Sequence, residues 1–153
     1  MNVLISACLI GICCRYDGTS AGCLLPSELH SRYGLLPFCP EVCAGLPTPR
    51  DSVELRNGQA LTQNAVNLTA VFEEGARKGL ALYQSQNCHA AILKSKSPSC
   101  GYGTLYDGTF TRRLTEGNGI FADLLASHNV PIFNETQLQN CLLFLHSLSH
   151  DTP

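Results

Sequence analysis

The chain has 153 residues, of which 44% are hydrophobic and 14% are charged, and its formal net charge is -2. This length suits one domain, residues 1–153, with a buried core of its own. The lack of a basic run or stripe argues against duplex nucleic acid as a direct partner, and no apolar run approaches the roughly 20 residues of a membrane span.

The first residues predict a buried strand. Asn2–Ser6 is a short apolar run that stops at small residues, which is typical of a strand inside a parallel sheet.

The residues around this strand lack the basic n-region of a signal peptide. We therefore expect a cytoplasmic protein, in which nine cysteines do not form a disulfide framework.

Strand and helix patterns alternate along the rest of the chain. In order, they predict a helix at 26–34, a strand at 35–39, a helix at 67–86, a strand at 90–94, a helix at 119–129, a strand at 130–133 and a helix at 134–149. This alternation predicts an α/β fold, a small Rossmann-like three-layer domain with a short, mostly parallel sheet. The tail, residues 149–153, is expected to fray.

The segment 44–63 interrupts the alternation. Its Asn57-Gly58 pair favours a tight β-turn, so we predict an inserted β-hairpin that lies over one end of the sheet. Two Tyr-Asp-Gly-Thr sequences, beginning at Tyr16 and Tyr106, each follow a cysteine-containing loop. Because Asp-Gly pairs favour tight turns, we predict two turns of similar conformation.

Three cysteines lie where predicted strands end. Cys8 comes two residues after the first strand, Cys39 ends the second, and Cys100 lies in the loop after the third. The carboxyl ends of parallel strands share one edge, where open α/β sheets usually bind ligands. Three thiolates fit a catalytic zinc ion with bound water or an iron–sulfur cluster with one iron free of protein ligands. Three unrelated buried cysteines are the remaining interpretation.

The other cysteines have weaker signals. Cys13 and Cys14 are adjacent, so their side chains diverge and at most one points into a site. Cys43 lies four residues beyond Cys39 and replaces it if the turn between them is helical. Cys141 lies in a predicted helix, where packing in the core is the ordinary role of a free cysteine.

Five motifs follow one another along the chain. They are SACLIGICCRYDG (6–18), FCPEVCAGLPTPR (38–50), NLTAVFEEGA (67–76), AILKSKSPSCGYGTLYDGTF (91–110) and GNGIFADLL (117–125). In this order they resemble the motifs of a small bacterial family, long called a domain of unknown function, that includes the 2-thiouracil desulfidases. The resemblance covers residues 2–133. It implies an oxygen-sensitive [4Fe-4S] cluster held by three cysteines, and hydrolytic removal of sulfur, as hydrogen sulfide, from a thiolated pyrimidine.

The resemblance also implies which residues hold the cluster. Matched motif by motif, the ligands are Cys8, Cys39 and Cys100, the same three that lie at predicted strand ends. The chain departs from the family pattern at Cys43, where an apolar residue is expected, and this leaves Cys43 open as a replacement for Cys39.

Two further residues correspond to catalytic positions of the family. Glu41 is a carboxylate two residues from a ligand, placed to act as a general base for water. A serine of the 95–99 loop is the second helper; we take Ser97, with Ser95 and Ser99 as alternatives. Arg50 is expected to be a solvated surface group, as most charged residues are.

Other functions stay open at this point. A zinc hydrolase would use the same three cysteines and a water molecule. A thiol redox sensor would pair Cys39 with Cys43, or Cys13 with Cys14, and would need no metal. A sulfur-relay module would act on a protein partner, since the chain has no basic stripe for direct RNA binding. The expected partner of the enzyme is a small thiopyrimidine, and the sequence contains no signal for an oligomeric state.

Overall fold

The computed structural model describes residues 1–150, so most of the tail predicted to fray, 151–153, lies outside the described residues. In chain order the elements are β1 (Asn2–Ser6), α1 (Ser27–Arg32), β2 (Gly34–Phe38), α2 (Pro40–Cys43), β3 (Val53–Arg56), β4 (Gln59–Thr62), α3 (Thr69–Ser85), β5 (Cys88–Leu93), β6 (Thr104–Tyr106), β7 (Leu114–Glu116), α4 (Ile120–Ser127), β8 (Ile132–Asn134) and α5 (Leu138–His150). None of the described helices is both long enough and apolar enough to cross a lipid bilayer.

A four-stranded sheet with the order β2-β1-β5-β8 forms the centre of the molecule. All three strand pairs are parallel, and each parallel connection contains a helix, as the geometry of parallel strands demands. The predicted α/β class and the short, mostly parallel sheet are therefore confirmed. The last strand begins at Ile132, two residues later than predicted, because Pro131 cannot donate to a neighbouring strand.

Helices cover both faces of the sheet. Successive residues of a strand point to opposite faces, so Val3 and Ile5 of β1 pack with Leu145 of α5 on one face, while Leu4 packs with Phe121 of α4 on the other. These side chains are almost completely buried, and each contributes about 1.5–3 kcal/mol by leaving water. The three-layer arrangement follows directly from the alternation of apolar side chains.

Two β-hairpins stand outside the central sheet. The predicted one is formed by β3 and β4, and its turn has Asn57 and Gly58 at φ of 51° and 76°, as a type I′ turn requires. The second, formed by β6 and β7, was not predicted. Its strands have three residues each, and every residue of β7 is exposed, so no apolar alternation marks it in the sequence.

Two glycines let helices touch the backbone of loops at the end of the sheet. A Cβ atom on Gly75 of α3 would collide with the carbonyl of Pro40, and one on Gly119 would lie 2.5 Å from the carbonyl oxygen of Ser99. The amide of Phe121, in the first turn of α4, donates to the same Ser99 carbonyl at 2.9 Å. The two helices thus fix the position of the segments that contain Cys39 and Cys100.

Candidate functional site

A cavity of about 770 Å³ opens at the carboxyl ends of the four parallel strands. Residues that follow β1, β2, β5 and β8 form its floor, and parts of both hairpins form its walls. Ligand binding at this edge is the general behaviour of open α/β sheets. The location predicted from the strand-end cysteines is therefore the location of this cavity.

Cys8, Cys39 and Cys100 all line this cavity. Cys8 and Cys100 are nearly buried, with 8% and 5% of their surface exposed. Burial and, to a smaller extent, the neighbouring Cys39 raise the pKa of the Cys8 thiol to about 11. Burial likewise raises the pKa of Cys100 well above its usual value. Thiols in this state are protonated near neutral pH, so a metal or cluster must displace their protons to bind.

Cys14 is a fourth thiol in the same cavity, and it was not among the predicted ligands. It is 7% exposed, and burial together with its neighbours Cys39 and Cys8 raises its pKa to about 12. The chain reverses at Gly11, which has a φ of 95°, and returns Cys14 to the sheet edge. Cys13 is exposed, in line with the expectation that at most one of the adjacent pair points inward.

Cys43 does not take the place of Cys39 in the cavity. The four residues of α2 do form one helical turn, and the Cys43 amide donates to the Cys39 carbonyl at 2.9 Å. The Cys43 side chain is nevertheless exposed and does not line the cavity. Cys141 is fully buried among apolar side chains, which agrees with its predicted packing role.

Glu41 also lines the cavity, two residues from Cys39. Its Oε1 accepts a hydrogen bond from Arg50 Nε at 3.2 Å, and its Oε2 accepts one from the Ser99 hydroxyl at 2.9 Å. Only 13% of the Glu41 side chain is exposed. Because each oxygen accepts a hydrogen bond, the carboxylate is held in one orientation at the cavity surface.

Arg50 is not the solvated surface group that the sequence predicts. Its side chain is 7% exposed, because its guanidinium has four partners. Besides Glu41, it donates to the carbonyl oxygens of Cys14 at 2.8 Å and Pro47 at 3.2 Å, and to Thr48 Oγ1 at 3.1 Å. A planar guanidinium with five donors suits such a site, whereas an ammonium group would not. The sequence gives no sign that Arg50 is buried and hydrogen-bonded to four partners, apart from its position at the end of a motif.

The three serines of the loop after β5 have different partners. The Ser95 hydroxyl donates to Glu135 at 2.6 Å, and the Ser99 hydroxyl donates to Glu41. Ser97 Oγ accepts from the amides of Ser99 and Cys100 at 3.2 and 3.1 Å, and Ser97 lines the cavity. Ser97 is thus the turn residue that orders the Cys100 loop, and among the described residues no acceptor takes its hydroxyl hydrogen.

Lys94 and Glu135 form a further charged pair at the cavity. Lys94 Nζ lies 2.6 Å from Glu135 Oε1, and the Ser95 amide donates to Glu135 Oε2 at 2.9 Å. Although burial opposes it, hydrogen bonds from Lys94 and Ser95 lower the pKa of Glu135. Glu135 follows β8 directly, so it joins the end of β8 to the loop that contains the predicted serine.

Comparisons with known proteins identify the family and the fold. The model of the family described as 2-thiouracil desulfurase matches residues 3–137. A protein of Bacillus subtilis (strain 168), described as uncharacterized protein YbbK, is 35% identical over 150 residues, which span 92% of this chain and 99% of that protein. A solved structure described as [4Fe-4S]-dependent thiouracil desulfidase TudS has a TM-score of 0.91 and 39% identity, covering 95% of this chain and 97% of its own. The predicted family and fold are confirmed.

We expect Arg50→Met to lower the free energy of unfolding by about 3 kcal/mol or more, because it leaves the Glu41 carboxylate buried without its charged partner. Urea denaturation of the metal-free protein measures this change. The matched control is Arg77→Met, since the pair of Arg77 with Glu74 is 61% and 48% exposed and should contribute less than about 1 kcal/mol. Equal losses in the two variants would contradict the structural role of Arg50.

Proposed function

The chain belongs to the 2-thiouracil desulfurase family, and on that premise we propose that it is a [4Fe-4S]-dependent enzyme that removes sulfur from a thiolated pyrimidine such as 2-thiouracil. The reaction joins the thiopyrimidine and water and forms the pyrimidine and hydrogen sulfide, with no net transfer of electrons. The observation that carries the proposal is the presence of several thiols and a fixed carboxylate in one cavity. The solved relative described as a [4Fe-4S]-dependent thiouracil desulfidase supports both the activity and the cofactor.

The donor set of the cavity fits a cluster better than a single ion. Thiolates are the ligands of iron–sulfur clusters, and four thiols line the cavity. Within residues 1–150, however, no three His, Cys, Asp or Glu side chains are arranged to hold one metal ion. Thiols that share a cavity without forming a site for one ion suit a larger group with several metal atoms. This arrangement disfavours the three-cysteine zinc hydrolase.

We assign Cys8 and Cys100 as two ligands of the cluster. The third comes from the pair Cys39 and Cys14: Cys39 is the residue predicted from its motif, and Cys14 is the residue that the structure adds. Cys14 is buried to the same degree as the first two ligands, whereas Cys39 is half-buried. When bound, a cluster with one iron free of protein ligands supplies a Lewis acid for the sulfur of the substrate.

Glu41 is proposed as the general base. Arg50 and Ser99 each occupy one lone pair of its carboxylate oxygens, and a carboxylate has about four such positions. The remaining lone pairs can accept a proton from a water molecule that attacks the thiocarbonyl carbon. The protonated Glu41 can then return the proton to the departing sulfur, so the same residue serves as base and acid.

Ser97 is proposed to orient the substrate. Its oxygen is fixed by two backbone amides, so the direction of its hydroxyl hydrogen toward the cavity is restricted. A donor in this place can bind the exocyclic oxygen of the pyrimidine or the attacking water. Ser95 and Ser99 are less suited, because their hydroxyl hydrogens are donated to Glu135 and Glu41.

The redox-sensor alternative receives little support. Cys13 and Cys43 are exposed, while Cys14 and Cys39 line the cavity, so each of the two disulfides that a redox sensor would form would join an outward to an inward side chain.

All nine cysteines are free thiols, which is the state that a reducing compartment maintains. We therefore also propose that the enzyme works in the bacterial cytoplasm on a small thiopyrimidine, without direct binding of duplex nucleic acid or of a membrane.

Anaerobically reconstituted protein should release sulfide from 2-thiouracil and form uracil in equal amounts. Sulfide is measured colorimetrically and uracil by chromatography, across free thiopyrimidines and thiolated nucleosides. The metal-free protein is the control. Uracil formation without sulfide, or a requirement for an added reductant in every turnover, would contradict a hydrolytic reaction.

Cys8→Ala and Cys100→Ala should each fail to retain the roughly four irons per chain of a [4Fe-4S] cluster. Iron and acid-labile sulfide are measured after anaerobic reconstitution. Of Cys14→Ala and Cys39→Ala, one should lose the iron and the other should keep it, which identifies the third ligand. Cys13→Ala and Cys43→Ala are the exposed controls and should keep full iron. Full iron in the Cys8 or Cys100 variant would show that the ligand set is wrong.

Glu41→Gln should keep its iron and lower kcat for sulfide release by a factor of at least about 100, because general acid–base groups contribute 10²–10⁴-fold. Glu74→Gln, an exposed carboxylate on α3, is the control and should have the kcat of the wild type. Ser97→Ala is compared with Ser95→Ala by the same assay. If Glu41→Gln releases sulfide at the normal rate, Glu41 has no catalytic role.

A further inference from the structure

The loop 107–113, which joins β6 to β7, forms a wall of the cavity. Its base is closed by a hydrogen bond from the Asp107 amide to the Arg113 carbonyl at 2.9 Å. Within the loop, Asp107 Oδ1 accepts from the Thr109 amide at 3.0 Å. Phe110 and Arg112 of this loop line the cavity. The loop is therefore a compact unit that presents two large side chains to the site.

A carboxylate on the other hairpin holds this loop in place. Glu54 Oε1 accepts hydrogen bonds from the amides of Gly108 at 3.0 Å and Phe110 at 3.2 Å. Arg56 Nη2 donates to the Gly108 carbonyl at 2.6 Å. Hydrogen bonds to charged groups are stronger than those between neutral groups. Side chains of β3 thus bind the backbone of a loop more than 50 residues away.

The close approach of the loop to β3 depends on a glycine. Gly108 has a φ of +88°, and a Cβ atom there would lie 2.7 Å from the carbonyl oxygen of Leu55 and 3.0 Å from the Cβ atom of Arg56. A larger residue would therefore be strained in conformation and would also collide with the backbone of β3. This contact is independent of the Glu54 hydrogen bonds and supports the same docked position.

The backbone directs two side chains of the loop toward the cavity. Phe110 and Arg112 have φ values of 58° and 62°, in the left-handed region that residues other than glycine rarely adopt. Residues in such conformations persist where surrounding contacts hold them, and they are frequent at functional sites. The amide of Phe110 is one of the two groups that Glu54 binds, so the hydrogen bond acts at the residue whose backbone is strained.

From these contacts we infer that Glu54 is a positioning residue, which holds the loop 107–113 so that the ring of Phe110 contacts the pyrimidine of the substrate. The inference rests on the proposed function and adds a residue for substrate recognition. Phe110 is half-buried and lines the cavity, and it forms no aromatic pair within the described residues. A pyrimidine presents a flat π-face, and stacking on an aromatic side chain is a general way to bind a base.

Limited proteolysis tests whether Glu54 holds the loop, and it does so without a cluster or a substrate. Arg112 and Arg113 are exposed trypsin sites in the loop. In the metal-free protein, Glu54→Ala and Gly108→Ala should each accelerate cleavage after these residues about tenfold or more, because cleavage follows the population of the open loop. Mass spectrometry identifies the fragments. Glu74→Ala is the matched control and should be cleaved at the wild-type rate.

Steady-state kinetics of the reconstituted enzyme test whether the held loop serves substrate binding. With 2-thiouracil, Glu54→Ala and Phe110→Ala should each raise KM about tenfold, with kcat within about twofold and with full iron content, since the loss is in binding. The KM of the double variant should be no higher than the larger of the two KM values of the single variants, because both substitutions remove the same contact. Glu54→Gln keeps a carbonyl acceptor and should recover most of the KM.

The outcomes separate this inference from the proposed function. Unchanged cleavage of both Glu54→Ala and Gly108→Ala overturns the holding role of Glu54. Faster cleavage with unchanged KM in Glu54→Ala and Phe110→Ala overturns the substrate contact. If the wild type releases no sulfide from any of the free thiopyrimidines and thiolated nucleosides, the proposed function and the substrate contact both fail, and the cleavage rates alone decide whether Glu54 holds the loop.

Discussion

The guanidinium of Arg50 joins the segments from which the site is built. It binds the carboxylate of Glu41 on α2 and the carbonyl of Cys14 in the loop after β1, and it does so from a third segment of its own. A charge that is 7% exposed is tolerated in the folded protein when its donors are satisfied, and this one has four partners. The positions of the proposed general base and of a buried thiol are therefore coupled through one side chain.

The parallel sheet supplies the second constraint. Its four strands end at one edge, so residues far apart in sequence meet there, although each parallel connection runs through a helix. Cys8 follows β1, Cys39 follows β2 and Glu135 follows β8, while Cys100 reaches the same cavity from a loop that α4 holds through Ser99. The high burial that raises the pKa values of the thiols is the same burial that shields a thiolate-bound group from water.

Apolar patterns predicted the central sheet and its helices, and the Asn57-Gly58 pair predicted the first hairpin. The positions of cysteines at strand ends predicted the edge where Cys8, Cys39 and Cys100 meet. The local sequence pattern does not predict the position of a residue when that position depends on a chain reversal or on a distant partner. Cys14 reaches the cavity because the backbone turns at Gly11, and its neighbour in sequence points away. Arg50 follows a proline in a loop, where a charged residue is ordinarily solvated, and its partners Glu41 and Cys14 lie nine and 36 residues away in the sequence. The β6–β7 hairpin was missed because β7 is exposed throughout.

In the two Tyr-Asp-Gly-Thr sequences, the local sequence determines the conformation of the turn and the tertiary structure determines its position at the cavity. Both form the predicted turn, in which Asp17 and Asp107 each accept hydrogen bonds from the amide and hydroxyl of the threonine two residues later. Both also border the cavity, since Tyr16 and Tyr106 line it. The first sequence begins two residues after Cys14, so its turn belongs to a thiol-bearing loop. The second lies mainly in the loop 107–113, which contains no cysteine and is attached to β3 by a few side-chain hydrogen bonds. Because this second wall is separate from the thiol-bearing loops, changes in it can alter which substrate fits while leaving the thiols in place.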